Sequence, residues 1–227
     1  LFVAFFPQLV AGPIERAKAL LPQLSQKLKP NKEQLKQGVT LIVLGLFRKV
    51  MIGDTAGRFV DHIFNNIQSY KSIEIIVALV LFSIQIYADF SGYSHIARGT
   101  AKLLGVELMK NFEQPYLSRN ITEFWRRWHI SLSSWLKDYL YISLGGNRKG
   151  PARTYIKLML TMLLGGLWHG ASWNFVIWGG LHGLYLALHK AMLGNKRVIS
   201  DNMKKLNIKN ALKILGTFLL VLITWLF

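Results

Sequence analysis

The sequence predicts an all-α, polytopic membrane helical domain with short or re-entrant helices, and three observations carry that expectation. Residues 158–189 contain no Asp, Glu, Lys or Arg. About 20 apolar residues span a bilayer, so this run is long enough to cross once or to enter, break and return. The chain is 52% hydrophobic with a mean hydropathy of +0.29, more apolar than the roughly 45–50% usual in soluble domains. Its net charge of +17, from 28 Lys+Arg against 11 Asp+Glu, is gathered between the apolar runs at 16–36, 148–157 and 190–213. Such clusters suit the anionic cytoplasmic face of a membrane, and they place 16–36 and 190–213 on that side. They form no recognisable nucleic-acid motif, so the expected partner is the bilayer and not nucleic acid.

Along the chain, residues 1–14 are apolar and close on Pro7 and Gly12-Pro13, which reads as the end of a membrane helix and a turn. Residues 32–50 carry apolar side chains at helical spacing, with Asn31 as N-cap and Arg48-Lys49 near the far end. Residues 72–89 are a better span, with Tyr87 at the edge. From 90 to 141 aromatics mix with many charges, which no plain lipid-facing helix tolerates. Within that stretch 121–144 reads as one helix, capped by Asn120 or Thr122 and stopped by Gly145-Gly146-Asn147. On it Trp125, Trp128, Leu132, Trp135, Leu136 and Tyr139 share one side, with His129 at the border. The 158–189 run has breaks at Gly165-Gly166, Gly170 and Gly179-Gly180. Leu1 is not preceded by Met, and the last apolar run, 214–227, is short. The chain therefore reads as a single membrane domain over 1–227, an internal fragment of a longer protein.

Cysteine is absent, so thiolate chemistry and Cys-ligated metal are excluded. The six histidines form no HxxxH or HExxH cluster, and no metal is expected. No G-x-S-x-G elbow supports Ser-His-Asp hydrolysis either. His169 lies in the middle of the uncharged run, where an ionisable group is costly and usually faces a protein interior or a water path. The run alone leaves two readings open, a functional imidazole or a histidine hydrogen-bonded inside a bundle. An imidazole kept neutral in a desolvated site can accept a proton, the help a hydroxyl needs to attack a thioester. Glycines beside it let a substrate approach the backbone.

Several long motifs occur in order: Phe6-Pro7-Gln8-Leu9-Val10-Ala11-Gly12-Pro13-Ile14, Asp89-Phe90-Ser91-Gly92-Tyr93-Ser94, Asn111-Phe112, Pro115-Tyr116-Leu117, Phe124-Trp125-Arg126-Arg127-Trp128-His129-Ile130-Ser131-Leu132-Ser133, Tyr139-Leu140-Tyr141-Ile142, Leu144-Gly145-Gly146-Asn147-Arg148 and Gly166-Leu167-Trp168-His169-Gly170. Together they resemble the membrane-bound O-acyltransferases, of the bacterial alginate O-acetyltransferase type, with teichoic-acid D-alanylation as the neighbouring branch. The resemblance implies helices lining a central funnel in a multi-pass inner-membrane protein, with His169 as the catalytic histidine and His129 as a second functional position. It implies an acyl thioester co-substrate, acetyl-coenzyme A or an acyl carrier, and no permanently bound cofactor. It also implies a polysaccharide acceptor outside the cytoplasm and a partner acetyltransferase there.

Arg126, Arg127 and Arg148, with Trp168, are the expected donor-binding residues, the arginines for a donor phosphate. One departure from the family pattern is His95, where an acidic residue is expected after Gly-Tyr-Ser, and it puts the ion pairing of Asp89 and Arg98 in question. The rivals are D-alanyl transfer to teichoic acid, a proton-coupled transporter with His129 and His169 as a relay, and a structural subunit whose histidines cross-link helices.

Overall fold

The computed structural model describes residues 2–9, 12–148, 150–193 and 207–227, all without strands. Residues 194–206 of the basic cluster at 190–213, and Val10 and Ala11 of the first motif, lie outside the described residues. The chain divides into two compact units, Leu1–Asn111 and Phe112–Phe227.

The first unit holds α1 (Ala17–Leu24), α2 (Lys32–Leu46), α3 (Asp54–Phe64) and α4 (Ser72–Leu103). The start of α2 is the expected one. Asn31 Oδ1 accepts the Gln34 N–H at 2.8 Å and Gln34 Oε1 accepts the Asn31 N–H at 3.0 Å, so two otherwise orphaned donors are satisfied reciprocally. The helix does not stop at Arg48-Lys49. It passes into a π-helical turn, Phe47–Gly53, and on into α3.

All three segments pack on α4, and glycines set the register. A Cβ on Gly45 would lie 2.6 Å from the Gly92 carbonyl oxygen, one on Gly92 2.8 Å from that of Gly45, and one on Gly99 2.6 Å from that of Gly38. Backbones touch there, as small residues allow in membrane helix pairs.

Two expectations for this unit are corrected. The helix of 72–89 continues through the charged stretch to Leu103, because its cations are met from the side. Arg98 Nε donates to the Leu108 carbonyl at 3.2 Å, and the Lys102 ammonium donates to the Glu107 carboxylate. Small residues (Ser91, Ser94, Ala97 and Ala101) fill the buried side, with Asn111 Nδ2 donating to Ser94 Oγ at 3.0 Å. Among the described residues α4 is the one helix long and apolar enough to cross a membrane by length and composition. The apolar N-terminal stretch is not a helix end. Its described residues form only a 3-10 turn, Phe6–Gln8, which Pro7 opens, and Tyr93 OH holds the segment by donating to the Leu9 carbonyl at 3.1 Å.

The second unit holds α5 (Ile121–Arg127), α6 (Ile130–Trp135), a π-helical turn Leu136–Tyr141, α7 (Pro151–His169), α8 (Trp173–Leu193) and α9 (Ile208–Thr224). The expected single helix over 121–144 is therefore broken at Trp128-His129. Trp128 is extended and His129 is left-handed, with φ of 42°. Neither glycine nor proline marks the break. It is made by packing, since Trp128 is wedged against Phe112 (5.0 Å between centroids), Phe124 (5.5 Å) and Trp225 (5.4 Å). The shared aromatic face is lost with the helix: Trp128, Leu132 and Leu136 are buried while Trp135 and Tyr139 are exposed.

The uncharged run folds back on itself as two helices. α7 and α8 pack against each other, a Cβ on Gly166 would strike the Phe175 carbonyl at 2.2 Å, and one on Gly179 that of Met162 at 2.4 Å. These contacts run in opposite directions along the two helices, so they form a hairpin. Gly165-Gly166 and Gly179-Gly180 are not breaks, then, but points of close approach inside helices. The turn follows His169, at Gly170.

Candidate active site

The second unit gathers its imidazoles and indoles into one cluster. His169 ends α7, and its ring lies 5.1 Å from Trp168, 5.4 Å from Trp178 and 6.1 Å from Phe175, between ring centroids. The ring of His129 lies 6.4 Å from that of Trp168. Both motif histidines thus neighbour one indole despite their separation in sequence. His129 is buried, 5% exposed, whereas Trp168 is 58% exposed and His169 is exposed as well. The left-handed backbone at His129 is a conformation few non-glycine residues adopt, and such conformations concentrate at functional sites. Hydrogen bonds hold it: Ser133 N–H donates to the His129 carbonyl at 2.9 Å and Ser133 Oγ to the Trp128 carbonyl at 3.0 Å.

A third histidine, His182, escaped the sequence reading as a site residue. It is 0% exposed, stacks on Phe124 at 6.0 Å and lies 4.8 Å from Trp178. The Trp125 indole N–H donates to its Nδ1 at 3.3 Å. Indole can only donate, so Nδ1 accepts and the ring proton sits on Nε2. That proton is donated to Thr224 Oγ1 at 3.1 Å, and the Thr224 hydroxyl in turn donates to the Val221 carbonyl at 2.6 Å. Both nitrogens are used. His182 is a neutral cross-link of α5, α8 and α9, the structural role that the sequence left open for any histidine in such a run. His189 Nδ1 lies 2.7 Å from Thr122 Oγ1. No three His, Asp or Glu side chains form a metal set among the described residues.

The three expected arginines are not equivalent. Arg127 donates to Glu123 Oε1 at 2.7 Å, and Arg119 reaches Glu123 Oε2 at 3.3 Å, with all three side chains largely buried. Glu123 also accepts the Arg119 backbone N–H at 2.9 Å. The i, i+4 spacing of Arg119, Glu123 and Arg127 is the signal that would have revealed this triad. Arg126 and Arg148 are exposed. In the first unit Asp89 pairs with Lys49 at 3.0 Å, Lys49 also meets Asp54 at 2.7 Å, and Arg98 is bonded to a backbone carbonyl. The histidine at 95 is thus accommodated without an acidic residue in its place. Its Nδ1 is buried and has no partner among the described residues.

The MBOAT model, membrane-bound O-acyltransferase family, matches residues 1–227. The chain belongs to this family. It is 46% identical over 224 residues to a protein of Pseudomonas putida named probable alginate O-acetylase, covering 99% of this chain and 44% of that protein. It is 42% identical over 229 residues to a peptidoglycan O-acetyltransferase of Helicobacter pylori, covering 100% of this chain and 42% of that one. A teichoic acid D-alanyltransferase of Streptococcus thermophilus is 29% identical over 230 residues, with 92% and 53% covered. The chain spans about two fifths of the length of the O-acetylating relatives it matches.

Proposed function

We propose that this chain is the histidine-bearing membrane part of a multi-pass inner-membrane O-acetyltransferase that modifies an exported polysaccharide. The observation that carries the reading is that His169, at the hairpin turn of an uncharged run, and His129 both lie beside the ring of Trp168. In the proposed reaction a hydroxyl oxygen of the acceptor attacks the thioester carbonyl carbon and His169 takes the hydroxyl proton. The carbon–oxygen bond forms, the carbon–sulfur bond breaks, and the thiol departs with the proton that His169 returns. General-base help of this kind contributes about 10²–10⁴-fold. The exposed ring of His169 suits it to exchange protons with a substrate, while buried His129, with its fixed backbone, packs beside Trp168.

The thioester donor, acetyl-coenzyme A or an acyl carrier, enters from the basic cytoplasmic face, with its phosphates on Arg126 and Arg148. Arg127 serves Glu123 instead. Identity favours acetyl over D-alanyl transfer, since the O-acetylating relatives are 46% and 42% identical and the D-alanylating one 29%. A periplasmic acetyltransferase completes delivery to the polymer.

The test is to incubate membranes containing the full-length protein with labelled acetyl-coenzyme A and to score label in the polymer. Label in polymer only with a D-alanyl carrier would move the assignment to teichoic-acid modification. Proton flux with no label transfer would make the protein a transporter.

A further inference from the structure

Two polar atoms of the cluster have no partner among the described residues. In the chain of bonds through Trp125, His182, Thr224 and the Val221 carbonyl, every donor is used. The indole Nε1 atoms of Trp178 and Trp225 are equally shielded, yet neither finds an acceptor among the described residues. Trp178 as a whole is 7% exposed. The two rings stack on each other, 6.2 Å apart and 30° from parallel, and the edge of Trp178 meets His169 at 5.4 Å. Buried polar groups are nearly always bonded, and one that is not calls for a function. Here the donors of two neighbouring rings are left open, and one of those rings packs against the imidazole assigned as the base.

We propose that the N–H groups of Trp178 and Trp225 form a site for the carbonyl oxygen of the acyl donor, beside His169. This rests on the acyl-transfer reading above. An indole N–H is a neutral donor that cannot accept and does not titrate, so it can wait in an apolar site without a counter-ion. A thioester carbonyl oxygen accepts weakly until the attacking oxygen adds to its carbon, and then takes up negative charge. Fixed donors around that position act most strongly at that moment, in surroundings from which water is excluded. His182 has a supporting part, because its locked ring packs on Trp178 at 4.8 Å and keeps the indole from turning.

The experiment replaces Trp178 in the full-length protein with 3-benzothienylalanine, which keeps the shape of the bicyclic ring and substitutes sulfur for N–H. Trp225 is replaced in the same way. Acetyl transfer is expected to fall about 100-fold in kcat for either variant, as for loss of one oxyanion donor, with KM for the donor changed only a few-fold. A ketone analogue of acetyl-coenzyme A, with CH₂ in place of sulfur and a ¹³C carbonyl, supplies a readout that packing alone would not move. Its carbonyl stretch in the complex should rise in frequency when either N–H is removed. An unchanged stretch overturns the proposal even if turnover falls, since the indole would then matter only for packing. An effect at Trp178 and none at Trp225 overturns the two-donor site, and assigns the Trp225 N–H to a water or to another part of the full-length protein. If the wild-type protein neither binds the analogue nor transfers acetyl, the acyl-transfer reading fails and this site fails with it.

Discussion

In Leu1–Asn111 helices meet through glycine backbones, as α7 and α8 also do, whereas α5, α6, α8 and α9 of Phe112–Phe227 gather around indole, phenol and imidazole rings. The first arrangement makes long elements. α4 runs unbroken for 32 residues because α2 and α3 lie flush along it and its cations find acceptors at the side. The second interrupts the chain between α5 and α6, which are short. Bulky rings between α5, α6, α8 and α9 hold the backbone off the helical path at His129 and leave donors for other uses. Glycine seams give close, featureless contact, and ring clusters leave polar edges facing one another. Chemistry belongs with the second, because a reaction needs oriented donors and acceptors more than it needs close backbone contact.

The sharpest way to break this contrast is at His169. Replacing it with Gln keeps hydrogen-bonding capacity but removes the ability to accept a proton at neutral pH. Polymer acetylation, measured at matched membrane abundance, should fall at least about 100-fold in His169→Gln as in His169→Ala, the lower range of what a general base contributes. Near wild-type acetylation in the Gln variant would make His169 a packing residue like His182 and turn the search toward His129.

The next effect is on stability, in the same unit. Glu123→Gln removes the charge that Arg119 and Arg127 share, leaving two buried guanidinium groups underpaired. Loss of one partner of a buried pair costs about 3–5 kcal/mol. The unfolding midpoint of the purified full-length protein in detergent should drop accordingly. A midpoint unchanged from wild type would mean that water or lipid phosphate reaches these arginines.

These two residues also show how much the sequence discloses. The Trp168-His169-Gly170 position in an uncharged run is visible in one dimension, because charge and glycine are local signals. The Asn31 cap and a turn within 158–189 are legible for the same reason. Glu123 was legible in its spacing to Arg119 and Arg127 but is masked by the aromatic pattern around it. The break at Trp128-His129 was not legible, since no residue there resists a helix and the cause is the ring of Trp225, far along the chain. Nor was the continuation of α4 to Leu103, which depends on a carbonyl at Leu108 and a carboxylate at Glu107.

The glycine seam of the first unit offers a middle-sized effect. In Gly92→Val a branched side chain must enter where a Cβ already lies 2.8 Å from the Gly45 carbonyl oxygen and 3.2 Å from the Lys49 nitrogen. Backbone cannot swing aside as a flexible side chain does, and overpacking of this kind costs about 1–3 kcal/mol. The expected result is less folded protein, with acetylation per folded molecule retained, because the seam carries no reacting group. Loss of specific activity with normal folding would show that the first unit does more than pack.

The smallest effect is expected at Trp168, although it neighbours both motif histidines. Its ring touches His129 at 6.4 Å and His169 at 5.1 Å, but with 58% of its surface exposed it is not wedged as Trp128 is. Trp168→Phe keeps an aromatic face toward both imidazoles and gives up part of two edge contacts. Such contacts are worth about 0.5–1.5 kcal/mol each, so acetyl transfer should fall by about tenfold at most. The measurement is the same polymer acetylation assay, run beside His169→Gln on membranes of equal protein content. A loss as deep as that of His169→Gln would mean that the indole contacts the substrate. The functional boundary would then pass through the exposed edge of the cluster and not through the imidazole alone.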